Sequence, residues 1–328
     1  DTLVVGGTGF IGRALVRRLV ESGVHVRVLA RDPDGAPPEL MRPEVERVRG
    51  DFTDLASVRP ALEGIKHVYH LARGYGNTWD EYLRWDVAPT RAFAEVCAEA
   101  GVERFFYASS IAIYYAGARA GVITEETPPV DSMLRANAYA RSKAENERVL
   151  TELMRTTGLP LTLFRPGIVL GAGGPPLHWG IAAWPYPSVC RLYGSGDHPL
   201  PIVLVDDVAD AMLLAADRGR VGERYIISEK YLSQRELVCT AAESVGANPP
   251  RIGIPMWLVR GIGRVSDLLG TLLRREMPIG YHSTRLMELT SPADHGKATA
   301  ELGWQPAATE DAIRAAARFY VERTENEN

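Results

Sequence analysis

Thr2-Leu3-Val4-Val5-Gly6-Gly7-Thr8-Gly9-Phe10-Ile11-Gly12 begins with a short apolar run that passes directly into glycines at every third position, and a helical pattern follows from Arg13 to Glu21. A brief apolar run ending in glycine reads as a buried parallel strand. Strand, glycine turn and helix in immediate succession is the context a dinucleotide-binding turn requires. In such a turn Gly6 permits the tight reversal, Gly9 lets the backbone approach a pyrophosphate, and Gly12 lets the helix lie close to the strand. The unpaired N–H groups at the helix start then face the phosphates. The spacing is G-x-x-G-x-x-G rather than the commoner G-x-G-x-x-G, and Gly6, Thr8, Gly9, Phe10, Ile11 and Gly12 are the candidate cofactor contacts.

Beyond this turn the chain keeps alternating strand and helix. His25 to Ala30 is a second strand, and a third precedes Gly50-Asp51-Phe52-Thr53-Asp54. His67 to Leu71 is the fourth, running into Ala72-Arg73. Asp80 to Ala100 reads as one helix stopped by Gly101, Arg104 to Ala108 as a fifth strand delivering Ser109-Ser110, and Ala136 to Thr157 as a helix closed by Gly158. Leu161 to Phe164 is a sixth strand, followed by Arg165-Pro166-Gly167-Ile168. This alternation predicts an α/β fold: a Rossmann, doubly wound parallel sheet with helices on both faces, which binds ligands at the C-terminal edge of its strands. Residues 1–170 and 202–228 are assigned to the dinucleotide-binding part. Residues 171–201 and 229–328 are assigned to a smaller, mainly helical substrate part.

The segment 171–201 is rich in Gly, Pro and aromatic residues and is expected to be a long binding loop without regular structure. His178, Trp179, Trp184 and Tyr186 are its candidate substrate contacts, with a role in the core of the small domain as the alternative. Ile202 to Asp207 is expected as a strand leading to a helix cap, Val208 to Ala216 as helix, and Asp311 to Glu322 as an Ala-rich helix.

At the second strand's end an acid would bond a ribose 2′-hydroxyl, whereas an arginine suits a 2′-phosphate. Ala30 is followed by Arg31, and Asp32 comes only after it, so the pattern favours NADP over NAD. The alternative is a solvated Arg31 with Asp32 on the ribose.

Composition sets limits. Apolar residues make up 46% and charged residues 24% of 328, ordinary for a globular protein, and a net charge of −4 gives no electrostatic footprint for nucleic acid. Cys97, Cys190 and Cys239 have no paired or metal-like spacing; with no leader read ahead of the first strand, a cytoplasmic protein with reduced thiols and no metal is expected. The longest apolar run, Ile252 to Leu273, carries Arg260, Arg264 and Asp267, so it should not span a bilayer. An amphipathic core helix is preferred there to one resting on a membrane surface.

The chemistry centres on Ala138-Tyr139-Ala140-Arg141-Ser142-Lys143. Residues four apart share a helix face, so phenol and ammonium can point into one cleft. A phenol with pKa near 10 is a poor base at pH 7, and a neighbouring cation lowers that pKa, which suits acid–base work on an alcohol or ketone. With 13 tyrosines and only four lysines in the chain, chance supplies about 0.16 such pairs.

Taken in order, Gly6 to Gly12, Gly50 to Asp54, His70-Leu71-Ala72, Ser109-Ser110, Tyr139-x-x-x-Lys143, Arg165-Pro166-Gly167 and Val205-Asp206-Asp207-Val208-Ala209 resemble the extended short-chain dehydrogenase/reductases, the epimerase/dehydratase superfamily, over nearly the whole chain. The resemblance implies Tyr139 as acid/base, Lys143 as a cation that also holds the nicotinamide ribose, and Ser110 bonding the substrate oxygen. It implies Asp51 against the adenine, with Phe52, Leu71, Ala72, Arg73, Ser109, Pro166, Gly167 and Ile168 completing the cofactor site. A homodimer through the helices of Asp86 to Ala100 and Ala136 to Thr157 is expected by the same analogy.

Departures from the family pattern narrow the substrate. The sugar-nucleotide 4,6-dehydratases carry an Asp-Glu pair where Ile111 and Ala112 stand. Many epimerases place a diphosphate-binding Arg where this chain has Leu200. The stretch His198-Pro199-Leu200-Pro201 is more similar to the 3β-hydroxysteroid dehydrogenase and dihydroflavonol reductase branch. Asp86 stands where an Asn is common. The leading expectation is therefore an NAD(P)-dependent oxidoreductase of a hydrophobic secondary alcohol or ketone, steroid-like or a β-keto compound. The alternatives are a nucleotide-sugar epimerase, which contacts of a sugar nucleotide with Arg165 or Arg191 would favour, and a non-catalytic NADP-sensing regulator.

Overall fold

Strand β1 (Thr2–Val5) is buried along its whole length because it lies in the middle of a seven-stranded parallel sheet. The order is β11 (Arg224–Ile227), β6 (Leu161–Pro166), β5 (Arg104–Ala108), β4 (His67–His70), β1, β2 (Val26–Ala30), β3 (Val45–Arg49). The computed structural model describes residues 1–76, 78–114, 121–129, 137–174, 182–186, 189–197, 199–228, 230–246, 248–250, 253–273, 291–307, 310, 313–314 and 317–318. Alternate side chains of each strand serve opposite faces. Val4, Val28, Tyr69, Phe106 and Phe164 pack under α1 (Phe10–Glu21) and α6 (Val205–Arg218). Leu3, Val5, Leu29, Val68, Phe105, Tyr107 and Leu163 pack under α2 (Leu55–Ala61), α4 (Ala88–Glu99) and α5 (Ala138–Thr157). Strands covered on both faces have no reason to alternate with polar residues, which is why they read as continuous apolar runs. The order reverses between β1 and β4, and the crevice at that point collects the loops after β1, β4, β5 and β6.

The helix expected as one piece over 80–100 is divided. α3 (Trp79–Tyr82) is joined to α4 by a π-turn, Leu83–Val87. Pro89 in the first turn of α4 has no N–H to donate, and the wider turn carries Asp86 into the interior, where it is 1% exposed. A π-turn inside a helix is frequent at functional sites.

The segment 171–201 is not the structureless loop expected. Strands β8 (Ala182–Tyr186) and β9 (Val189–Leu192) form an antiparallel pair. β10 (Pro199–Leu204) joins a second sheet with β7 (Ile168–Leu170) and β12 (Lys230–Ser233). The expected strand at 202–207 accordingly ends at Leu204, and Val205 opens α6. The small sheet packs on α7 (Gln234–Ser244), started by a capping box between Ser233 and Glu236. Trp304, 1% exposed, donates from its indole N–H to the carbonyl of Asp207 at 2.8 Å and docks the C-terminal part onto α6. Residues 313–314 and 317–318 are helical; the rest of the expected Asp311 to Glu322 helix lies outside the described residues.

A correction also applies to α8 (Met256–Leu273). It buries Val259 against Tyr193, but Trp257, Leu258, Ile262, Val265, Leu268, Leu269 and Leu272 face solvent. The amphipathic period expected of a core helix is present, with its wide apolar stripe turned outward. Among the described residues no helix is long and apolar enough to cross a membrane.

α5 is clamped to β6 by charge. Glu147 receives the Arg165 Nε–H at 2.9 Å and a second guanidinium N–H, and Arg165 also donates to the Tyr114 hydroxyl and to the Glu125 carbonyl at 3.1 Å. The Arg165 and Glu147 side chains are 3% and 10% exposed. Removing one charge from such a pair strands the other in the interior. Glu147→Gln is expected to cost about 3–5 kcal/mol, read as a lower denaturant midpoint; a change below about 0.5 kcal/mol would show that the clamp does not hold α5 in place.

Candidate active site

At the first turn the glycines are required by space. Gly6 has φ +88°, and a Cβ on it would lie 2.6 Å from the Ala72 nitrogen; a Cβ on Gly12 would lie 2.1 Å from the Gly6 carbonyl oxygen. β4 causes the first crowding, because Leu71 and Ala72 donate their N–H groups to the Val5 carbonyl at 2.8 and 3.1 Å. Gly9 is the N-cap of α1 and provides no side-chain cap, and the first turn carries no acid. The helix start is thus open to an anion, as a pyrophosphate needs. Gly7 adds a further close approach, its Cβ position falling 2.8 Å from Val28 Cγ1; the motif spacing singled out Gly6, Gly9 and Gly12 without it.

At the neighbouring strand ends, Arg49 on β3 donates to the Arg31 carbonyl at 2.9 Å and to the Asp34 carboxylate at 2.9 Å, and lies 4.0 Å from Asp32. Both acids are drawn to Arg49, while Arg31 is exposed and has no ion-pair partner among the described residues. Asp51 accepts from the N–H and hydroxyl of Thr53, each at 3.0 Å. Phe52 turns its ring into the core, centroid 5.0 Å from that of His70, so only its backbone is free to meet a cofactor. His70 is fully buried, bonded to the Thr90 hydroxyl at 3.1 Å, and burial with the nearby Lys143 charge pushes its pKa down to about 3; it is a neutral packing residue.

The sequence-predicted catalytic residues converge at the ends of β5 and α5. Asn137 starts α5 by accepting the Ala140 N–H at 3.0 Å, which fixes Tyr139 in the first turn. Ser110 accepts the Ala112 N–H at 3.2 Å, and its side chain lies near enough to the Tyr139 phenol to favour the ionised form. Ser109 instead gives its N–H to Phe164 at 2.8 Å, and its hydroxyl is buried without a partner among the described residues. Of the pair, Ser110 is the one whose side chain lies beside Tyr139.

Lys143 is 4% exposed and donates to the Tyr107 hydroxyl at 3.1 Å and the Ala108 carbonyl at 2.9 Å. Burial lowers its pKa to about 8; Asp86 opposes the shift and Arg73 adds to it. The cation stacked on Tyr139 is a different one: the Arg73 guanidinium lies 5.0 Å from the Tyr139 ring centroid and 4.5 Å from that of Tyr75. The lowered phenol pKa expected from sequence is not met in this geometry. Burial holds Tyr139 above its ordinary value, and the nearby Ser110 side chain and Arg73 charge only partly counter it. Nothing in the Tyr139–Lys143 spacing pointed to Arg73, because it comes from the end of another strand.

Asp86 ties these pieces together. Its carboxylate accepts the Gly74 N–H at 2.8 Å, the Asn146 amide at 2.9 Å and the Ser142 hydroxyl. Pro166 is buried and Gly167 donates to the Ile227 carbonyl at 2.9 Å, where the chain leaves the main sheet for Ile168 on β7. Among the candidate substrate contacts, Trp184 and Tyr186 fall on β8, and His178 and Trp179 lie outside the described residues. No metal-binding group of His, Cys, Asp and Glu occurs among the described residues.

The Lys143 shift has a measurable consequence. A lysine whose folded pKa of about 8 lies below its ordinary 10.5 leaves the unfolded chain holding more protons between those values, so stability rises with pH there. Wild type is expected to gain about 2–3 kcal/mol relative to Lys143→Met between pH 8 and 10.5, read by denaturant unfolding at several pH values. Parallel pH profiles would show that the lysine is not desolvated.

A model of the NAD dependent epimerase/dehydratase family matches residues 2–228. Sterol demethylase protein B of Methylococcus capsulatus is 30% identical over 340 residues, spanning 98% of each chain. The 2-alkyl-3-oxoalkanoate reductase of Stenotrophomonas maltophilia is 30% identical over 284 residues, 83% of this chain and 84% of that one. Among solved structures, MoeE5 in complex with UDP-glucuronic acid and NAD superposes with a TM-score of 0.75 at 26% identity, covering 98% of this chain and 99% of that one. The glycine cradle and open helix start suit the dinucleotide these matches imply, and the chain is an NAD(P)-dependent oxidoreductase that belongs to the epimerase/dehydratase family of extended short-chain dehydrogenase/reductases.

Proposed function

We propose that the protein interconverts a hydrophobic secondary alcohol and its ketone, of steroid-like or β-keto type, with Tyr139 as the acid/base. The observation that carries this reading is the approach of the Ser110 side chain, just after β5, to the Tyr139 phenol, close enough to favour its ionised form. It aims two hydroxyls at one substrate oxygen, beside the crevice that the glycine turn opens. The bound nicotinamide would supply or accept the hydride. Gly6, Gly9 and Gly12 with the start of α1 would hold its pyrophosphate, and Asp51 and the backbone of Phe52 its adenine. Leu71, Ala72, Ser109 and Pro166 to Ile168 would border the rest.

During reduction the Tyr139 hydroxyl gives its proton to the carbonyl oxygen, and in oxidation the phenolate takes it back. Ser110 steadies that oxygen with a hydrogen bond. Lys143 and Arg73 supply the positive charge that favours the phenolate, against the burial that disfavours it.

The names 2-alkyl-3-oxoalkanoate reductase and sterol demethylase protein B are in keeping with an apolar substrate. The epimerase alternative loses support at Arg165, one of its two proposed anion contacts, and at position 200, where many epimerases place an arginine. Arg165 is saturated by Glu147, Tyr114 and the Glu125 carbonyl, and Leu200, 5% exposed, belongs to the core of the small sheet. For the cofactor, the pairing of Asp32 and Asp34 with Arg49 favours Arg31 against a 2′-phosphate and hence NADP.

Mixing the protein with NADP and a panel of apolar secondary alcohols, sterols and UDP- or GDP-sugars tests the reaction. Reduced nicotinamide should form with an apolar alcohol. Tyr139→Phe should cut kcat by about 10²–10⁴, and Ser110→Ala by about 10²-fold or more. Sugar interconversion without net cofactor reduction would instead make the protein an epimerase. Arg31→Ala should lower the NADP to NAD ratio of kcat/KM by about 10–100-fold; an unchanged ratio would return the ribose to Asp32.

A further inference from the structure

The outward face of α8 has an internal order. Leu258, Ile262, Val265, Leu269 and Leu272 are all exposed, and they follow one another at alternating intervals of four and three residues. A seam with that mean period of about 3.5 residues is what a second helix needs for knobs-into-holes packing. Trp257 and Leu268, exposed by 73% and 62%, widen it on one side. Arg260, Arg264 and Asp267 fall outside it. The helix is not free to roll and hide this face. Val259 is buried against Tyr193. Just before the helix, the Ile254 N–H donates to the Leu192 carbonyl at 2.8 Å and the Gly194 N–H to the Ile254 carbonyl at 2.9 Å, which pins the chain to the end of β9.

Gly261 lies within the same face. Glycine is a poor helix former, and a Cβ at this position would meet nothing within 4 Å. Its φ is not positive. Nothing in the described part of the chain therefore asks for a glycine here, whereas a second helix in close approach would.

We propose that a second copy of the chain covers this face, its α8 packed antiparallel on the first about a two-fold axis at Val265. The seam is symmetric about that residue. Reversing it sets Val265 against Val265 of the other copy, Ile262 against Leu269, and Leu258 against Leu272, the self-complementarity an isologous contact requires. The same pairing brings Leu268 of one copy opposite Gly261 of the other, where the missing side chain leaves room for it. The seven exposed apolar side chains present on the order of 800 Å², more than the roughly 300–600 Å² of the largest patch on an ordinary monomer and close to the ~800 Å² each partner gives to a standard interface.

A lipid surface fits the helix less well. A helix resting on a membrane carries a polar face rich in Lys and Arg opposite its apolar one. Opposite the seam α8 has Val259, Gly263, Ser266 and Gly270, buried or half-buried against its own chain, and the net charge of −4 gives no attraction to anionic lipid. The contact is separate from α4 and α5, where the family analogy places a dimer, so a chain that uses both faces forms a tetramer. It is also independent of the reaction at Tyr139.

Light scattering of the purified protein at micromolar concentration tests the contact. Wild type should be a dimer, or a tetramer if α4 and α5 also pair, and the double variant Ile262→Glu/Leu269→Glu should halve the mass. Both positions are exposed in the single chain, so far-ultraviolet circular dichroism should be unchanged. Gly261→Leu should dissociate the protein in the same way, although it improves helix propensity. A monomeric wild type, or a double variant that keeps the wild-type mass, overturns the proposal; Gly261→Leu at full mass overturns the antiparallel register.

Disulfide trapping reads the register directly. Val265→Cys should give a reducible cross-linked dimer on mild oxidation, with wild type as the control for the native cysteines. Leu258→Cys should not, because position 258 of the other copy lies a 14-residue span away, about 21 Å along the helix. Cross-linking through Leu258→Cys would mean a parallel pair and overturn the arrangement. Flotation with phosphatidylcholine–phosphatidylglycerol vesicles separates the lipid alternative. Wild type should stay in the dense fraction; a monomer that floats, and no longer does so as Ile262→Glu/Leu269→Glu, would assign the face to a membrane and overturn the second copy.

Discussion

One buried carboxylate joins the parts of the site. Asp86 enters the interior because the helix widens into a π-turn at Leu83–Val87. There it collects donors from separate elements: the Gly74 N–H after β4, and Ser142 and Asn146 on α5. A buried charge persists only when it is paired or hydrogen-bonded, so each partner is held where the carboxylate needs it. The consequence is positional. The turn carrying Arg73 and the helix carrying Tyr139 and Lys143 are fixed with respect to each other through a single group. An asparagine at position 86 could accept on only one of its two terminal atoms, so this network is built for the acid.

The charge distribution around Tyr139 follows from that arrangement. Lys143 donates to the Tyr107 hydroxyl and Ala108 carbonyl at the end of β5, while Arg73, just after β4, lies over the Tyr139 ring. Burial works against both ions that acid–base chemistry uses: it raises Tyr139 and lowers Lys143. The opposing shifts reverse the order the two groups have in water, leaving the Lys143 amine the weaker base of the pair and the Tyr139 phenol the more firmly protonated. The Arg165–Glu147 clamp performs the mechanical task, holding α5 against β6 without offering a charge to the crevice.

The α8 face stands apart from this logic. Its apolar stripe has the period of a packed helix, but among its described large apolar side chains Val259 is the buried one, packing with Tyr193. Periodicity reports that a face exists; it carries no information about which way the helix is rolled when it docks. The same limit explains β8 and β9, where Gly and Pro suggested a loop and cross-strand pairing prevailed.

Local chemistry determined the glycine turn, the strand–helix alternation, and the placement of Tyr139 and Lys143 on one face of α5, because each depends on residues within one or two turns of one another. The choice of Ser110 over Ser109 rested on the resemblance and its distance along the chain from Tyr114; the structure adds that Ser110 is the one beside Tyr139. Tertiary structure alone decided that Phe52 faces the core, that Arg165 is consumed by Glu147, that Asp86 bridges two helices and a strand end, and that Arg73 rather than Lys143 stacks on the Tyr139 ring. Those outcomes join residues tens of positions apart. Their physical cause is the parallel sheet, which brings the ends of β1, β4, β5 and β6 to one edge and leaves the side chains there to sort themselves by charge and burial.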